Sequence, residues 1–286
     1  MRFQKGIAVV LATCVLLGSL TGCSQEKEQA TSMGEGTEQL GSIHVISREE
    51  GSGTRSVFAQ SVGFYDYSTG RDLTTENVEI ATDGEKVKEW ISTDVNAIGY
   101  LSAGLLGEAD AGPIHTVTVD GKELERSFYM VYSGQLTEVE QEFITYIEGA
   151  GQEIVGKDFS PIGATTQFLS LKPNGKIKIG GSSSMYELVR ELAATYMELN
   201  PNADIEVVET DSNNGLTGAM SGIYDLGMSS RDLKDYEREL LSYEVIAKDQ
   251  IAVIVNRDNP LNNIALTDLK AVYTGEITEW DKLAEN

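Results

Sequence analysis

A short stretch near the start of the chain combines residue types that could hold an anion. It reads Ser-Arg-Glu-Glu-Gly-Ser-Gly-Thr-Arg over residues 47–55. Arg48 offers a planar guanidinium suited to an oxyanion, and the hydroxyls of Ser52 and Thr54 add neutral hydrogen-bond donors. The two glycines allow the backbone to turn sharply and to approach a ligand closely. The stretch is therefore a candidate anion-binding loop, or else an ordinary turn with a capping threonine and a surface arginine.

The residues around this stretch predict a strand before it and a helix after it. Residues 43–46 form an extended run, and Val57, Phe58 and Val62 recur at helical spacing. The first amide groups of a helix have no partner within the helix and point outward. A helix that starts beside such a loop therefore favours bound anions.

A second candidate loop repeats this arrangement later in the chain. Residues 176–179 are strand-like, Gly-Gly-Ser-Ser-Ser follows over 180–184, and a long helix is predicted over 186–199. Ser184 and Glu187 have the spacing of a capping box. Capping needs one hydroxyl, whereas this loop places three serines after two glycines. The surplus of hydroxyls favours a ligand-binding interpretation.

Two more polar turns are associated with predicted strands. Asp-Ser-Asn-Asn-Gly over 211–215 follows a strand at 204–209, and residues 224–232 form a short strand that runs into a serine-bearing turn. Residues 250–255 have the β-branched composition of a strand buried on both faces. Alternating strands and helices predict an α/β fold with parallel sheets, whose ligands bind beyond the carboxyl ends of the strands, where these turns lie.

Composition limits the classes of function. The chain has 286 residues, of which 41% are apolar, so it can bury one large core or two smaller ones, and its length favours two lobes. Its 45 acidic and 22 basic residues give a net charge of −23, which argues against a nucleic-acid surface. Any bound anion must then be held by local dipoles and a few placed cations.

Catalysis and metal binding are not expected, and no cofactor is predicted. No Gly-x-Ser-x-Gly elbow occurs, and neither histidine lies near a candidate serine nucleophile in the sequence. His44 and His115 are far apart and lack the spacing of metal ligands, so no metal site is predicted.

The N-terminus has the pattern of a bacterial secretion signal. Arg2 and Lys5 precede an apolar run over 6–20 that is short for a membrane span. The run ends in Leu-Thr-Gly-Cys, which resembles a lipoprotein cleavage box with Cys23 as the lipidated residue. An ordinary secretory signal with an incidental cysteine is the alternative. We predict a signal peptide over 1–22 and a flexible tether over 23–41.

The polar turns taken together resemble one family, the phosphate-binding proteins of bacterial ABC importers, which have the type II periplasmic-binding fold. The resemblance covers nearly the whole chain from about Ser42. It implies a two-lobed α/β fold with parallel-rich sheets and a ligand cleft between the lobes. The stretches that carry the resemblance are 48–54, 180–184, 211–215 and 225–232, with further matches at 97–100, 151–155, 160–162, 249–256 and 273–280.

The order of these motifs differs from that of the family. In the family the serine loop comes first and the arginine loop follows a mid-chain turn, whereas here the arginine loop comes first. A circular permutation would explain this order, with the family's own ends joined through residues 165–175. A chain cut from a tandem array is the alternative, in which case a second chain would complete each lobe. The permutation predicts lobe II over 42–117 and 251–286, and lobe I over 118–250.

The resemblance also implies which residues bind phosphate. Ser183, Ser184 and Ser212 match ligands of one lobe, and Ser230 falls where many members place an aspartate that accepts a proton from phosphate. A serine can accept and also donate, so Asp232 or Asp211 are alternative sources of a carboxylate. The ligands implied in the opposite lobe are Arg48, Ser52, Gly53 and Thr54.

The function implied is that of a lipoprotein on the extracytoplasmic face of a bacterial cell membrane, anchored through lipid on Cys23. It would capture inorganic phosphate and deliver it to the permease of an ABC importer. Two alternatives stay open from the sequence. One is a binding protein for another tetrahedral oxyanion, and the other is a sensing or adhesive lipoprotein that has kept the fold without transport.

Overall fold

A computed structural model describes residues 40–66, 69–107 and 112–285 of the chain. The predicted signal peptide, Cys23 and the tether up to residue 39 lie outside the described residues. Among the residues that are described, no helix is both long enough and apolar enough to span a membrane.

Twelve strands and eight α-helices make up the described chain, with short 3₁₀ helices at Ala103–Leu105 and Trp280–Glu285. The strands are β1 His44–Arg48, β2 Tyr65–Asp66, β3 Arg71–Asp72, β4 Val78–Ala81, β5 Ala97–Ser102, β6 Ile114–Asp120, β7 Glu125–Tyr132, β8 Gly175–Ser182, β9 Ala203–Thr210, β10 Leu226–Ser229, β11 Ser242–Asn256 and β12 Asn263–Ala265. The helices are α1 Gly53–Val62, α2 Gly84–Thr93, α3 Glu138–Glu148, α4 Gln152–Asp158, α5 Ser183–Leu199, α6 Ser212–Ser221, α7 Asp235–Leu240 and α8 Leu266–Thr274.

The main sheet is mixed and runs in the order β4-β1-β5-β11-β7-β10-β8-β9. β1 pairs in parallel with β4 and β5, and β8 pairs in parallel with β9 and β10. β11 has 15 residues and is antiparallel to β5, β6 and β7. The strand predicted at 250–255 is thus the second half of a longer strand with antiparallel neighbours, and its length lets it serve two parts of the molecule.

Two large apolar cores share this strand. One is built around β8, α3 and α5. The other is built around β1, α1 and α8 and contains the fully buried Trp280. β11 contributes Ile246 to the first core and Val253 to the second. The strand therefore runs from one core into the other.

The lobe boundaries predicted from the sequence stay a proposal. The core around β8 draws its residues from 128–247, which lies within the stretch predicted as lobe I. Val119 and Leu124 pack instead with the core around β1. This packing would place the first crossing between the lobes just before Phe128 and not at residue 118.

Candidate functional site

The first predicted loop joins β1 to α1. Arg48 is the last residue of β1, and α1 begins at Gly53. The Oγ atom of Ser52 accepts the backbone N–H of Arg55 at 3.3 Å, so Ser52 caps the helix. The capping residue is therefore not the threonine considered from the sequence. The hydroxyl of Ser52 is used to cap α1. The loop hydroxyl that faces the rest of the site is therefore that of Thr54, in the first turn of the helix.

Arg48 is almost fully buried, with 1% of its surface exposed. Its Nη2 donates to Ser183 Oγ at 3.0 Å, on the opposite side of the site. Its Nε and Nη2 donate to the two carboxylate oxygens of Glu49, both at 2.8 Å. Within the described part of the chain, Nη1 has no hydrogen-bond partner. A buried guanidinium with a donor left over is suited to binding an anion.

The second predicted loop lies where β8 meets α5. The helix starts at Ser183, three residues before the predicted position, and Ser182 is its capping residue without a side-chain capping bond. The predicted capping box of Ser184 and Glu187 is therefore wrong, because Ser184 already lies inside the first turn. Glu187 forms an ion pair with Arg190 instead. The serine side chains are thereby left free of a capping role.

Hydroxyl groups from four chain segments contact one another at this point. Thr54 Oγ1 lies 2.9 Å from Ser184 Oγ, and Ser182 Oγ donates to Ser230 Oγ at 2.8 Å. Ser212 Oγ accepts the backbone N–H of Ser230 at 3.0 Å. These five residues are buried, and Ser183, which accepts from Arg48, is half-buried beside them. The result is a compact cluster of hydroxyls, which we call the hydroxyl cluster: Thr54, Ser182, Ser183, Ser184, Ser212 and Ser230.

The backbone of Gly53 approaches this cluster too closely for any side chain. A Cβ atom placed on Gly53 would lie 2.4 Å from Ser212 Oγ and 2.4 Å from Ser230 Oγ. Only glycine fits at this position, because real Cβ contacts are longer than this. The glycine predicted as a place of close backbone approach therefore has that property.

The structure brings most of the predicted site residues together. Ser52 belongs to the same loop, but its hydroxyl oxygen accepts the backbone N–H of Arg55 and does not contact the hydroxyl cluster in the described residues. The predicted residues that meet are Arg48, Gly53, Thr54, Ser183, Ser184, Ser212 and Ser230. Their role as ligands of phosphate stays a prediction.

Three helices begin at the hydroxyl cluster, namely α1, α5 and α6. None of them has an acidic residue in its first turn, although the chain as a whole is strongly acidic. Asp211 caps α6 by accepting the N–H of Asn214 at 2.8 Å. Because unpaired amide groups and the positive ends of helix dipoles converge here, the local field favours an anion in a protein whose net charge repels one.

The two carboxylates considered as proton acceptors have other partners. Asp232 accepts a hydrogen bond from the hydroxyl of Tyr129 at 2.6 Å. Burial, followed by the hydrogen bond to Asp232, raises the pKa of Tyr129 to about 12. Asp211 caps α6 and faces Gly51, where a Cβ atom would lie 2.5 Å from its carboxylate. Neither carboxylate hydrogen-bonds to the hydroxyl cluster in the described residues.

Sequence reasoning missed four residues that belong to this site. Ser182 was passed over in favour of its two neighbours. Arg126 lies on β7 and donates from Nη1 to Thr54 Oγ1 at 2.8 Å. Asp249 and Ser102 hold Arg126 from behind. One signal in the sequence could have indicated Arg126. It is the only basic residue in a strand-like run, Glu-Arg-Ser-Phe-Tyr-Met-Val-Tyr. A charged side chain buried in such a strand is costly unless it has a partner or a ligand.

Neither histidine is near the hydroxyl cluster by its contacts. His44 pairs with Asp94, and the Nε2 atom of His115 lies 2.8 Å from the carbonyl oxygen of Leu261. Among the residues described here, no group of three or more histidine, cysteine or acidic side chains is arranged to hold a metal ion.

Comparison with known proteins gives matches over the whole chain. A family model described as a PBP superfamily domain matches residues 163–286. "Phosphate-binding protein PstS 2" of Streptococcus pneumoniae serotype 4 is 32% identical over 301 residues, covering 99% of this chain and 100% of that protein. The crystal structure of a phosphate-binding protein of a phosphate ABC transporter from Streptococcus pneumoniae TIGR4 matches with a TM-score of 0.69 and 33% identity, over 85% of this chain and 100% of that one.

A third relative matches only in part. "Phosphate-binding protein PstS" of Bacillus subtilis is 35% identical over 117 residues, which is 39% of this chain and 38% of that protein. The pneumococcal relative aligns from end to end and therefore shares the motif order of this chain. If the motifs of the Bacillus protein stood in a different order, only part of the two chains could be aligned, as is observed. The circular permutation itself stays a prediction.

Proposed function

Because the chain belongs to the PstS family of phosphate-binding proteins, we propose that it captures inorganic phosphate between its two lobes and delivers it to an ABC importer. The observation that carries this proposal is the convergence of Arg48, three helix starts and the hydroxyl cluster at one buried place. Phosphate needs a cation and many hydrogen-bond donors when it leaves water, and this place supplies both.

In the proposed binding event, hydrogen bonds to phosphate replace contacts that the site residues make with one another. Thr54 comes from the half of the molecule that contains α1, and Ser184 from the half that contains α5. Phosphate bound between them would receive hydrogen bonds from both hydroxyls, from the amide groups of the helix starts and from Arg48. The closed form would then dock on the permease, and opening there would release the ion.

The strand shared by the two cores, β11, would permit this opening. β7 pairs with β11 over its whole length, and β11 enters both cores. The pairing is irregular between Val245 and Ala247, where a bulge interrupts the register. That bulge lies within the first core, because Ile246 and Ala247 belong to it. The part of β11 between Ala247 and Ile251 joins the two cores, so a relative movement of the lobes could be absorbed there without breaking either core.

The test is calorimetric titration of the purified protein and of Arg48→Ala with phosphate. We expect the wild-type protein to bind one phosphate per chain. Loss of a buried charged donor should weaken binding by about 3 kcal/mol, which is roughly a hundredfold in Kd. Arg71→Ala is the matched control, because Arg71 is an exposed arginine of β3. Equal affinity of Arg48→Ala and the control would contradict the assignment of Arg48.

We further propose that Cys23 anchors the protein through lipid to the extracytoplasmic face of the cell membrane, next to the permease. The support is the cleavage-box sequence that ends at Cys23. Cys23→Ala should move the protein out of the membrane fraction of expressing cells, whereas Cys14→Ala, a cysteine within the predicted signal peptide, should not. Membrane association of both variants would speak against lipid on Cys23.

A further inference from the structure

A second buried arginine reaches the hydroxyl cluster from β7, which pairs with the shared strand β11. Arg126 lies on β7 and is 5% exposed. Its Nη1 donates to Thr54 Oγ1 at 2.8 Å and lies 3.4 Å from the carbonyl oxygen of Ser230. One nitrogen of Arg126 therefore contacts both sides of the cluster, and only one hydroxyl separates it from Ser184.

Arg126 is held in this position from the side that faces away from the cluster. Its Nε donates to Asp249 Oδ2 at 2.8 Å, and Ser102 Oγ donates to the same oxygen at 2.9 Å. Nη2 lies 2.7 Å from Asp249 Oδ2 but, among the described residues, makes no well-directed hydrogen bond. A buried ion pair is weak evidence for a stabilising role, so the pairing with Asp249 does not by itself explain why Arg126 lies here.

Another buried ion pair, Arg231 with Glu237, makes a useful contrast. Both terminal nitrogens of Arg231 donate to Glu237, and the guanidinium also donates to Asn213. This guanidinium binds both carboxylate oxygens, as expected of a structural pair. Arg126 shares one carboxylate oxygen and turns Nη1 toward the hydroxyls instead.

Two guanidinium groups approach the hydroxyl cluster. Burial lowers the pKa of Arg126, Asp249 raises it, and the nearby positive charge of Arg48 lowers it further. Two guanidinium groups at one buried place repel each other, and an anion between them would offset that repulsion. Each arginine has one carboxylate partner, Glu49 for Arg48 and Asp249 for Arg126.

Arg126 also decides how the hydroxyl of Thr54 can be used. Because Thr54 Oγ1 already accepts a hydrogen bond from Arg126, its own hydrogen atom is directed to another acceptor. Ser212 Oγ is in the same position, since it accepts the N–H of Ser230. Both hydroxyls are therefore prepared to donate to an oxyanion.

We propose that Arg126 is the second cation of the oxyanion site and makes it selective for doubly charged tetrahedral oxyanions, such as the phosphate dianion, over singly charged ones. This inference rests on the proposed function. A positive charge one hydrogen-bonded group away from the ion favours the second negative charge by roughly ten- to a hundredfold at the effective dielectric constant of protein sites. Arg126 acts through its charge and through Thr54, so it is a charge-selecting and positioning residue.

This selectivity predicts that phosphate binds more tightly as the pH rises. Between about pH 5.5 and about pH 8, phosphate gains its second charge while histidine is the only side chain with an ordinary pKa in the range. If the dianion is the bound form, the apparent affinity follows its fraction. The charged side chains nearest the cluster by their contacts are Arg48, Glu49, Arg126, Glu209, Asp211, Arg231 and Asp249.

Of these groups, Glu209 is the one whose titration could interfere. Burial, Asp83 and Glu187 raise the pKa of Glu209, while Arg48 lowers it. Ionisation of this carboxylate would add negative charge near Arg48 as the pH rises. It would weaken anion binding at high pH, so it cannot produce the rise that we predict.

The test compares Arg126→Lys with Arg126→Gln by calorimetric phosphate titration at about pH 5.5 and about pH 8. Both substitutions remove the guanidinium fork, but only the lysine keeps the charge. We expect wild-type affinity to rise roughly tenfold or more between the two pH values. Arg126→Lys should bind more weakly overall and keep this rise. Arg126→Gln should lose it, because its loss of affinity is larger at the higher pH.

The outcomes separate this inference from the proposed function. If the wild-type protein binds no phosphate at either pH, the proposed function fails. If it binds phosphate with equal affinity at both pH values, or if Arg126→Gln keeps the pH dependence of Arg126→Lys, the role of Arg126 is refuted while phosphate binding stands. Thermal melting of each variant shows whether it is folded. If only Arg126→Lys folds, it still tests the role of the Arg126 charge, because loss of the pH dependence in this variant would also refute that role.

Discussion

Replacing Gly53 by alanine tests whether the two halves of the site meet in the ligand-bound protein as they do in this structure. The new Cβ atom would lie 2.4 Å from the hydroxyl oxygens of Ser212 and Ser230, and 2.9 Å from the backbone carbonyl carbon of Ser230. The two hydroxyls could rotate away, but the backbone could not. Gly53 starts α1, while the serines belong to the other half of the molecule.

The size of the effect follows from this overlap. Extra atoms in a well-packed site usually cost about 1–3 kcal/mol. The lobes can separate and relieve the clash, so the cost should appear as disfavoured closure and not as loss of folding. Kd for phosphate should therefore rise roughly fivefold to a hundredfold, with little change in the midpoint of thermal unfolding.

Calorimetry measures the affinity, and thermal melting without phosphate measures the stability. Gly163→Ala is the matched control, because no atom lies within 4 Å of its Cβ position. We expect the control to bind like the wild-type protein. If Gly53→Ala also does, the contact between Gly53 and the serines is not part of the bound form. If it unfolds well below the control, the contact supports folding rather than closure.

Two further predictions concern the cores and Tyr129. Phe58 is fully buried and stacks on Tyr100 with ring centroids 3.8 Å apart, so Phe58→Ala should lower the free energy of unfolding in denaturant by about 3–5 kcal/mol; a loss below about 1 kcal/mol would contradict this packing. The pKa of Tyr129 is raised to about 12 in the folded protein, whereas an unfolded tyrosine has a pKa of about 10. The protonated phenol therefore stabilises the fold below about pH 10, and this stabilisation is lost as the pH rises toward 12. Asp232→Asn should move this pKa down, measured as phenolate absorbance after subtraction of Tyr129→Phe, and an unchanged pKa would leave burial as the sole cause.

The family and the fold were predictable because their signals are local. A strand, a glycine-rich or serine-rich turn and a helix follow one another directly in the sequence at both loops, and β1, α1, β8 and α5 lie there. The predicted two-lobed type II periplasmic-binding fold is confirmed by the match to the pneumococcal structure. The predicted family is confirmed by the full-length relative.

Details of the loops were less predictable, because they depend on single residues at helix boundaries. α5 starts at Ser183 and not near Tyr186, which moved Ser184 from the cap into the first turn. In the first loop, either Ser52 or Thr54 could have capped α1 by type. The choice falls on Ser52 because Thr54 bonds Arg126 and Ser184 across the site. Such competition between local and long-range partners is not visible in sequence spacing.

Arg126 and Asp249 could not be assigned because nothing local connects them. They are separated by 123 residues and meet through the antiparallel register of β7 and β11, in which Arg126 lies opposite Asp249. The residue pattern predicts only the second half of β11 and gives no prediction for β7. Without that pairing, Arg126 is a charged residue in an unassigned run, and Asp249 is one acidic residue among 45 acidic positions.

The positions of acidic residues relative to the helix starts give a further indication of the site, independent of the loop motifs. Among the described helices, α2, α3, α4, α7 and α8 each have an acidic residue in the first turn, where it stabilises the helix dipole. α1, α5 and α6 do not, and these are the three that begin at the hydroxyl cluster. An acidic residue there would stabilise its own helix but compete with a bound anion for the same amide groups. At α6 the N-cap Asp211 already accepts one of these amide groups. At α1 and α5 no acidic residue lies in the first turn, which in a chain of net charge −23 favours a ligand in its place.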